Sequence, residues 1–207
     1  MTILPEALIF DCDGTLALTA DLHWRAFEQA FAAQGQSFDY DYFHANGGLA
    51  RFELIDSWIA RTGVVVDRDR LIADSIAFAA ALAKSGDLVT ENPPVADLAR
   101  AWGKGRPSAV GSNGERVVVV ATVEGLGLGE VIDTVVSVDD VSKPKPAPEM
   151  FLLAASRLGV EPASCIVLED SIQGLQAAKA AGMQAIDVRE PEGLARVAAL
   201  TAAALAA

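Results

Sequence analysis

Short apolar runs that end in polar or glycine-rich turns recur along the chain and predict buried β-strands. The first run, Ala7 to Phe10, is followed at once by a polar turn, Asp11 to Thr15. Runs of the same form follow at residues 107–111, 134–138, 165–168 and 185–188. Because these runs are largely apolar and do not alternate strictly, each is typical of a parallel strand that is buried on both faces.

Helical periodicity separates the later strands. Residues 147–158 and 171–181 are predicted helices, and Gly159 and Gly182 follow them in the position of a left-handed helix cap. The segment 114–124 contains four consecutive valines, which favour a strand, but the alternation of strands and helices requires a helix there. This alternation predicts an α/β fold with a Rossmann-like, doubly wound parallel sheet.

The stretch from residue 18 to residue 90 interrupts the alternation, because it shows only helical periodicity. Helices are predicted at residues 22–34, 52–62 and 70–83. Pro93 and Pro94 mark the return, where a further helix at 95–102 leads into the second strand. We therefore predict a small α-helical domain at 18–90, inserted after the first strand of a core made of residues 1–17 and 91–207.

Composition and charge limit the possible partners. The chain has 207 residues, 52% of them hydrophobic, which suits one large domain or a core with a modest insertion. Its 28 acidic and 16 basic residues give a formal net charge of -12, which repels nucleic acid phosphates and anionic membrane surfaces. We expect no nucleic acid partner and no membrane partner, and an anionic substrate would require local positive charge or a metal.

Cysteine use and the N-terminal residues point to a reducing compartment. Cys12 and Cys165 lie far apart in apolar runs, which favours two small core residues over a disulfide. Residues 1–10 have no Lys or Arg ahead of their apolar stretch, and no uncharged apolar run approaches the ~20 residues that span a bilayer. The prediction is a cytoplasmic protein.

Acidic side chains follow the first predicted strand directly. Asp11 and Asp13 stand two positions apart, where they can share one Mg²⁺ or divide the roles of nucleophile and acid. Taken alone, the pair fits an ordinary Asp-Gly turn better. In an open α/β sheet, however, ligands bind where the carboxyl ends of neighbouring strands converge, so the other strand ends decide between the two interpretations.

The second predicted strand ends in a hydroxyl group and a turn. Ser112, Asn113 and Gly114 follow it and lead into a predicted helix. A hydroxyl with backbone N–H groups at a helix N-terminus can bind a phosphate without net positive charge. The alternative is that Ser112 only caps the helix.

Charged residues follow the third and fourth predicted strands. Lys143 and Lys145 stand among three prolines, which fix the backbone and can aim one ammonium; the alternative is a solvated basic turn. Glu169 and Asp170 come after the fourth strand, where they could otherwise be only the acidic start of a helix. Because polar residues follow four strands of the same predicted sheet, we favour one shared site over four unrelated turns and helix caps.

Together these strand ends predict a divalent cation beside a phosphate. Asp11 and Asp13 would surround the cation with Glu169 or Asp170, and Ser112 and a lysine would bind the phosphate. Because the donors are oxygen atoms and no His or Cys is available, the set favours Mg²⁺ over zinc.

At these residues the sequence resembles the haloacid dehalogenase superfamily of phosphotransferases. The resemblance covers the whole chain and rests on the order and spacing of four motifs, which are Asp11 to Thr15, Ser112, Lys145 to Glu149, and Glu169 to Gly174. The insertion after the first motif resembles the small α-helical cap of this family. It places the chain near the branch of β-phosphoglucomutases and sugar-phosphate phosphatases.

The resemblance implies a role for each aspartate of the first motif. Asp11 would attack phosphorus in line and become an aspartyl phosphate. Asp13 would protonate the departing sugar oxygen and then activate water. The family usually has a bulky apolar residue between the two, and Cys12 stands there in this chain.

A set of binding residues is also implied by the resemblance. Mg²⁺ would be held by one oxygen of Asp11, the backbone carbonyl of Asp13 and Asp170, with Glu169 ligating or supporting. The phosphoryl group would be held by Ser112, the backbone N–H of Asn113, and Lys145. The Lys-Pro-Ala-Pro-Glu register selects Lys145 and leaves Lys143 as a solvated neighbour.

Two residues of the predicted cap are candidates for substrate binding. His23 matches a histidine common in this branch, which can hydrogen-bond the acid/base aspartate; alternatively it packs beside Trp24 and Phe27. Arg51 follows a glycine-rich segment, residues 47–50, and resembles the cap arginine that meets a second phosphate or acidic group. Its alternative is an ordinary arginine at a helix start.

The resemblance leaves a choice between hydrolase and mutase. The mutases of this branch add a cap lysine to the arginine, and no lysine lies between Arg61 and Ala83. We therefore predict a Mg²⁺-dependent phosphatase that acts on a small sugar phosphate of the fructose 1-phosphate or 6-phosphogluconate type. A β-phosphoglucomutase is the alternative.

Two further classes are weighed against the enzyme. A phospho-receiver domain also uses acidic residues, Ser or Thr and Lys at strand ends, but receivers lack a second aspartate acting as acid/base and an insertion after the first strand. A non-catalytic sugar-phosphate binder would not need every catalytic motif residue, and all are present.

The expected assembly is a monomer or a weak homodimer.

Overall fold

The computed structural model describes residues 4–46, 49–86, 88–103 and 105–207. Its strands are β1 (Ala7–Phe10), β2 (Ala17–Leu18), β3 (Thr90–Glu91), β4 (Ser108–Gly111), β5 (Thr134–Val136), β6 (Cys165–Glu169) and β7 (Gln184–Asp187). Its α-helices are α1 (Ala20–Ala32), α2 (Tyr40–Ala45), α3 (Arg51–Thr62), α4 (Arg68–Ser85), α5 (Pro93–Trp102), α6 (Arg116–Gly125), α7 (Glu149–Leu158), α8 (Ile172–Ala180) and α9 (Pro191–Ala206). Gly47 and Gly48, in the glycine-rich segment before Arg51, lie outside the described residues.

A parallel five-stranded sheet with the order β5-β4-β1-β6-β7 forms the centre of the fold. β1 pairs with β4 on one side and with β6 on the other, so that Ile9 lies opposite Ala109 and Val167. The chain moves outward from β1 to β5 and then returns to β6 and β7 beyond β1. The strand order therefore reverses beside β1, and the prediction of a doubly wound α/β fold is confirmed.

The side chains of each central strand alternate between two apolar layers. Leu8 and Phe10 of β1 pack in the cluster that contains residues of α5 and α9. Ala7 and Ile9 pack in the cluster that contains residues of α7 and α8. Because successive side chains on a strand point to opposite faces, a strand with helices on both sides must be apolar at every position.

The valine-rich segment 117–120 is helical, as the alternation of strands and helices predicts. Val119 and Val123 face the sheet cluster, whereas Val118 faces α1 and α4. A helix can bury two such faces at once, because its side chains point around the whole axis. This tertiary environment outweighs the modest preference of valine for strands.

The third strand of the core ends earlier than predicted. It stops at Val136, and Val138 to Asp140 form a 3₁₀ turn rather than an extension of the strand. The Asp140 carboxylate accepts hydrogen bonds from the backbone N–H and the hydroxyl of Ser137. Local side-chain hydrogen bonds of this kind replace the ladder bonds of a strand and end it.

Four helices, α1 to α4, lie between β2 and β3 and are called the cap below. Three of them correspond to predicted helices, and the short helix α2 was not predicted. The N-terminus of α2 is capped by the Asp39 carboxylate, which accepts from the Tyr42 backbone N–H at 2.8 Å. Its Phe43 packs in an aromatic cluster with Phe27, Phe31 and Phe38, so packing stabilises a helix too short to show a periodic pattern.

A two-stranded antiparallel ribbon connects the cap to the core. Ala17 of β2 lies opposite Glu91 of β3, and Leu18 lies opposite Thr90. The Asn92 backbone N–H also donates to the Leu16 carbonyl at 2.9 Å. The chain therefore leaves and re-enters the core at one place.

The cap packs on helix α6 of the core through small apolar side chains. The cluster contains Leu22 and Ala26 of α1, Ala79 and Ala83 of α4, and Val118 of α6. At the end of α6, an added Cβ on Gly125 would lie 2.6 Å from the carbonyl oxygen of Ala83. The backbones of α4 and α6 can approach this closely only because residue 125 has no side chain.

Both cysteines are buried free thiols. Cys12 lies in the apolar cluster on one face of the sheet, and Cys165 lies in the cluster on the other face. They act as small core residues, as predicted.

In the ranges that the structure describes, no helix is long and apolar enough to cross a membrane.

Gly125→Ala is expected to destabilise the protein by about 1–3 kcal/mol, because the new methyl group collides with backbone atoms of α4. Differential scanning calorimetry should show Tm lowered by roughly 3–10 °C. The matched control is Gly129→Ala, whose Cβ would have Glu124 Cγ at 3.7 Å as its neighbour. Equal Tm values for the two variants would contradict a close contact between α4 and α6.

Candidate active site

The polar residues of four strand ends meet at the carboxyl edge of the sheet. Asp11 follows β1, Ser112 follows β4, and Glu169 is the last residue of β6. Lys145 lies in the loop between β5 and α7. These four side chains are all buried in the structure, although residues of their types are usually exposed.

The Lys145 ammonium links two carboxylates at the centre of this group. Its Nζ donates to Asp11 Oδ1 at 2.6 Å and to Glu169 Oε1 at 2.6 Å, and it lies 4.8 Å from the centre of the Phe151 ring. Burial opposes the charge on Lys145, but the two carboxylates outweigh this effect and raise its pKa. Lys145 is therefore a fixed cation with its charge aimed at the site, whereas Lys143 is exposed.

Both carboxylate oxygens of Glu169 have partners within the protein. Oε1 accepts from Lys145, and Oε2 accepts from the backbone N–H and the hydroxyl of Ser171. An added Cβ on Gly174, in the first turn of α8, would lie only 1.7 Å from Oε1. The start of α8 thus makes room for the Glu169 carboxylate, which contacts Lys145.

Asp11 and Asp170 complete an acidic cluster with Glu169. One oxygen from each of the three carboxylates lies within 4.8 Å of the others. Burial raises the pKa of Asp11 well above its usual value, because the attraction of Lys145 does not offset it and the carboxylates of Glu169 and Asp13 add to it. Burial also raises the pKa of Asp170. The cluster has more negative charge than Lys145 alone balances.

This donor set suits a hard divalent cation. Carboxylate oxygens are the protein ligands that Mg²⁺ prefers, and the surplus negative charge would be balanced by a bound cation. Asp11 and Asp170 are the members best placed to ligate, because both oxygens of Glu169 are already engaged. Asp170 Oδ1 accepts from the Thr15 hydroxyl at 2.9 Å, which holds the carboxylate in place.

Asn113 positions the lysine loop through its side-chain amide. Its Oδ1 accepts from the Lys145 backbone N–H at 2.9 Å, and its Nδ2 donates to the Lys145 carbonyl at 3.3 Å. Next to it, the Ser112 hydroxyl oxygen accepts from the Gly114 backbone N–H at 3.0 Å. The Ser112 hydroxyl proton can therefore be donated to a bound oxygen atom.

Asp13 is held by two residues at the start of α1. Its Oδ1 accepts from the Thr19 hydroxyl at 2.6 Å and lies 3.1 Å from His23 Nε2. Burial raises the pKa of Asp13, but the attraction and hydrogen bond of His23, the Thr19 hydroxyl and the Arg51 charge outweigh it and lower the pKa to about 2. Asp13 is therefore ionised near neutral pH, and its second oxygen, Oδ2, faces Gly114.

Arg51 reaches from the cap to the core. Its Nε and Nη2 donate to the two carboxylate oxygens of Glu115, at 2.9 and 3.1 Å. Its guanidinium carbon also lies 5.2 Å from the centre of the Phe27 ring. Arg51 starts α3, but its side chain is not the solvated arginine of an ordinary helix start.

The structure brings all nine predicted site residues to one edge of the sheet or to the cap residues above it. Sequence reasoning missed four partners, which are Thr15, Thr19, Glu115 and the side-chain amide of Asn113. Thr15 carried a weak signal, because it stands two positions after Asp13 in the sequence, whereas Thr19 stands six positions after it. Glu115 is separated from Arg51 by 64 positions, and no local pattern connects them.

Fold and site together define an enzyme with a doubly wound α/β core and a carboxylate and lysine centre. A family model for haloacid dehalogenase-like hydrolases matches residues 5–182, and the chain belongs to that family. The protein is a phosphatase of this family, in agreement with relatives that are named as phosphatases. The prediction of the superfamily is thereby confirmed.

Relatives agree in sequence and in structure. Fructose-1-phosphate phosphatase YqaB from Escherichia coli is 35% identical over 182 residues, which are 88% of this chain and 95% of the relative. A crystal structure of CbbY from Rhodobacter sphaeroides with xylulose-(1,5)bisphosphate is 30% identical with TM-score 0.77, covering 88% of this chain and 85% of that one. A β-phosphoglucomutase from Clostridium difficile is 22% identical with TM-score 0.69, covering 88% and 83% of the two chains, which supports the fold alone.

Gly14→Ala is expected to lower phosphatase activity by roughly 10- to 100-fold, because small displacements of catalytic groups are costly. Gly14 has φ +87°, and an added Cβ would lie 2.1 Å from Asp170 Oδ2, so the carboxylate would have to move. Hydrolysis of p-nitrophenyl phosphate measures the effect.

The matched control for this prediction is Gly63→Ala. Gly63 has φ +70°, and its added Cβ would meet no atom within 4 Å. The control therefore carries a similar backbone strain without the collision. Similar activity in the two variants would show that displacement of Asp170 does not matter.

Proposed function

We propose that the protein hydrolyses a small sugar phosphate in a Mg²⁺-dependent reaction that passes through an aspartyl phosphate on Asp11. The observation that carries this proposal is the contact of the buried Lys145 ammonium with Asp11 and Glu169, beside the separately held carboxylate of Asp13. Two carboxylates in different environments suit different chemical roles.

In the first step Asp11 is the nucleophile. One of its carboxylate oxygens forms a bond to phosphorus while the bond from phosphorus to the sugar oxygen breaks. Lys145 lies beside Asp11 and would balance negative charge on the phosphoryl oxygens. Ser112 would donate its hydroxyl proton to one of those oxygens.

Asp13 is the acid and then the base. It gives a proton to the departing sugar oxygen, and later accepts one from the water that attacks the aspartyl phosphate. In that second attack the bond from phosphorus to Asp11 breaks, which releases inorganic phosphate and restores the carboxylate. A pKa of about 2 leaves Asp13 in the ionised form that can accept a proton, and a phosphate dianion bound nearby would raise the pKa toward the acid form.

Mg²⁺ would be held by Asp11, the backbone carbonyl of Asp13, and Asp170, with Glu169 in a supporting place. When bound, the cation supplies positive charge that lets two anions, the carboxylate and the phosphate ester, approach each other. Thr15 orients Asp170, and Asn113 orients the backbone of Lys145. The side-chain role of Asn113 supplements the predicted use of its backbone N–H for the phosphate.

Residues 18–90 are proposed to form a cap domain on a core of residues 1–17 and 91–207. Support comes from the β2–β3 ribbon at both junctions and from the separate aromatic cluster in the cap. In this division His23 and Arg51 are the cap residues that face the reacting groups, through Asp13 and Glu115. The substrate class rests on relatives such as fructose-1-phosphate phosphatase YqaB.

Asp11→Asn is expected to abolish turnover without unfolding the chain, since the amide keeps the shape and removes the nucleophile. We would measure phosphate release with Mg²⁺ from fructose 1-phosphate, 6-phosphogluconate, glucose 6-phosphate and β-glucose 1-phosphate. Many turnovers per wild-type chain on one of these compounds are expected, with none in the variant. Wild-type activity in Asp11→Asn would contradict the assignment.

The same panel separates the phosphatase from the alternatives. Conversion of β-glucose 1-phosphate to glucose 6-phosphate after addition of a bisphosphate primer, without phosphate release, would identify a mutase. A single phosphate retained per chain would identify a receiver, and binding without turnover would identify a sugar-phosphate binder.

Asp13→Asn is expected to slow formation and breakdown of the aspartyl phosphate, because the amide cannot exchange the proton. Rapid-quench experiments with ³²P-labelled substrate should show little steady-state turnover and no fast release of labelled phosphate. A variant with ordinary turnover would remove Asp13 from the acid/base role.

A further inference from the structure

The pair formed by Arg51 and Glu115 is an ion pair between the cap and the core that the proposed reaction does not use. Arg51 begins α3 of the cap, and Glu115 directly precedes α6 of the core. Both are largely buried, with 9% of the Arg51 side chain and 22% of the Glu115 side chain exposed. This ion pair is therefore largely shielded from solvent, and it is separate from the acidic cluster of Asp11, Glu169 and Asp170.

Internal partners occupy all three nitrogen atoms of the Arg51 guanidinium. Nε and Nη2 donate to the two oxygens of Glu115, and Nη1 donates to the Ser75 hydroxyl at 3.4 Å. The guanidinium carbon also lies over the Phe27 ring, 5.2 Å from its centre. Glu115 thus balances the charge of Arg51, which weakens the attraction of Arg51 for a second anion.

The pair lies close to the proposed reacting groups. Glu115 directly follows Gly114, whose added Cβ would lie 3.2 Å from Ser112 Oγ and 3.4 Å from Asp13 Oδ2. The positive charge of Arg51 also helps to lower the pKa of Asp13. A substrate whose phosphate is bound at Ser112 and Asp11 would therefore have its other end near the Arg51–Glu115 pair.

We propose that Glu115 is a specificity-determining residue, which makes the site select phosphate monoesters with an uncharged far end and reject those whose far end is anionic. Hydroxyl groups of a sugar can donate to Glu115 without adding negative charge to the site. A second phosphate or a carboxylate would meet the Glu115 carboxylate, and the charge of Arg51 beside it is already balanced by that carboxylate. This inference rests on the proposed function and names its substrate class.

The proposal separates the two candidate substrate types. Fructose 1-phosphate has a neutral far end, whereas 6-phosphogluconate carries a carboxylate there. Fructose 1,6-bisphosphate carries a second phosphate. The proposal predicts that the first compound is preferred over the other two, because repulsion between like charges in a partly buried site is poorly screened.

The test compares kcat/KM of the wild type and Glu115→Gln on two matched substrate pairs. One pair is fructose 1-phosphate and fructose 1,6-bisphosphate, and the other is glucose 6-phosphate and 6-phosphogluconate. In Glu115→Gln we expect kcat/KM for the anionic member of each pair to rise, and the ratio of neutral to anionic member to fall at least about tenfold. A misfolded variant cannot produce such a gain.

Glu124→Gln is the matched control, because it makes the same charge change at an exposed position near the end of α6. It is expected to leave both ratios within twofold of the wild type. Ratios in Glu115→Gln that also stay within twofold, or an equal shift in the control, would overturn the proposal.

Binding distinguishes failure of this inference from failure of the proposed function. Isothermal titration calorimetry with Asp11→Asn, and with Asp11→Asn combined with Glu115→Gln, measures Kd for the same four compounds without any chemical step. Tighter binding of the anionic members in the double variant supports the proposal even if the wild type hydrolyses none of them. Unchanged Kd values overturn it even if hydrolysis is fast.

Discussion

The buried ammonium of Lys145 is the contact on which the rest of the site depends. Asp11 and Glu169 are taken out of water by the carboxyl ends of β1 and β6, and buried carboxylates are costly unless they are paired. Lys145 meets both, and Asn113 fixes the backbone that carries it. The arrangement still leaves Asp170 and surplus negative charge, which is the physical reason that the site suits a cation.

Two different kinds of contact connect the cap to this centre. Small apolar residues of α1 and α4 pack closely on α6, with Gly125 permitting the approach. The Arg51–Glu115 pair and the hydrogen bond between His23 and Asp13 add polar contacts near the reacting groups. The apolar contact fixes where the cap lies, and the polar contacts can influence which substrates fit beneath it.

The order of strands and helices and the residues at the strand ends could be predicted from the sequence alone. Continuous apolar runs predict strands buried on both faces, and the right-handed connections of parallel strands bring their carboxyl ends together. Asp11, Ser112, Lys145 and Glu169 could therefore be placed at one edge before any coordinate was known. The helix at 114–124 was also predictable, because the alternation left it no other role.

How these groups pair depends on the tertiary structure. The hydrogen bond between Lys145 and Glu169, and the one between the Asn113 amide and the Lys145 backbone, join residues from separate strand ends. The short helix α2 and the partner of Arg51 could not be predicted from the sequence either. Aromatic packing stabilises α2. The partner of Arg51, Glu115, lies 64 positions away in the sequence, across the contact between cap and core. Local patterns report burial and backbone preference, whereas a pairing of buried charges exists only after the whole chain has folded.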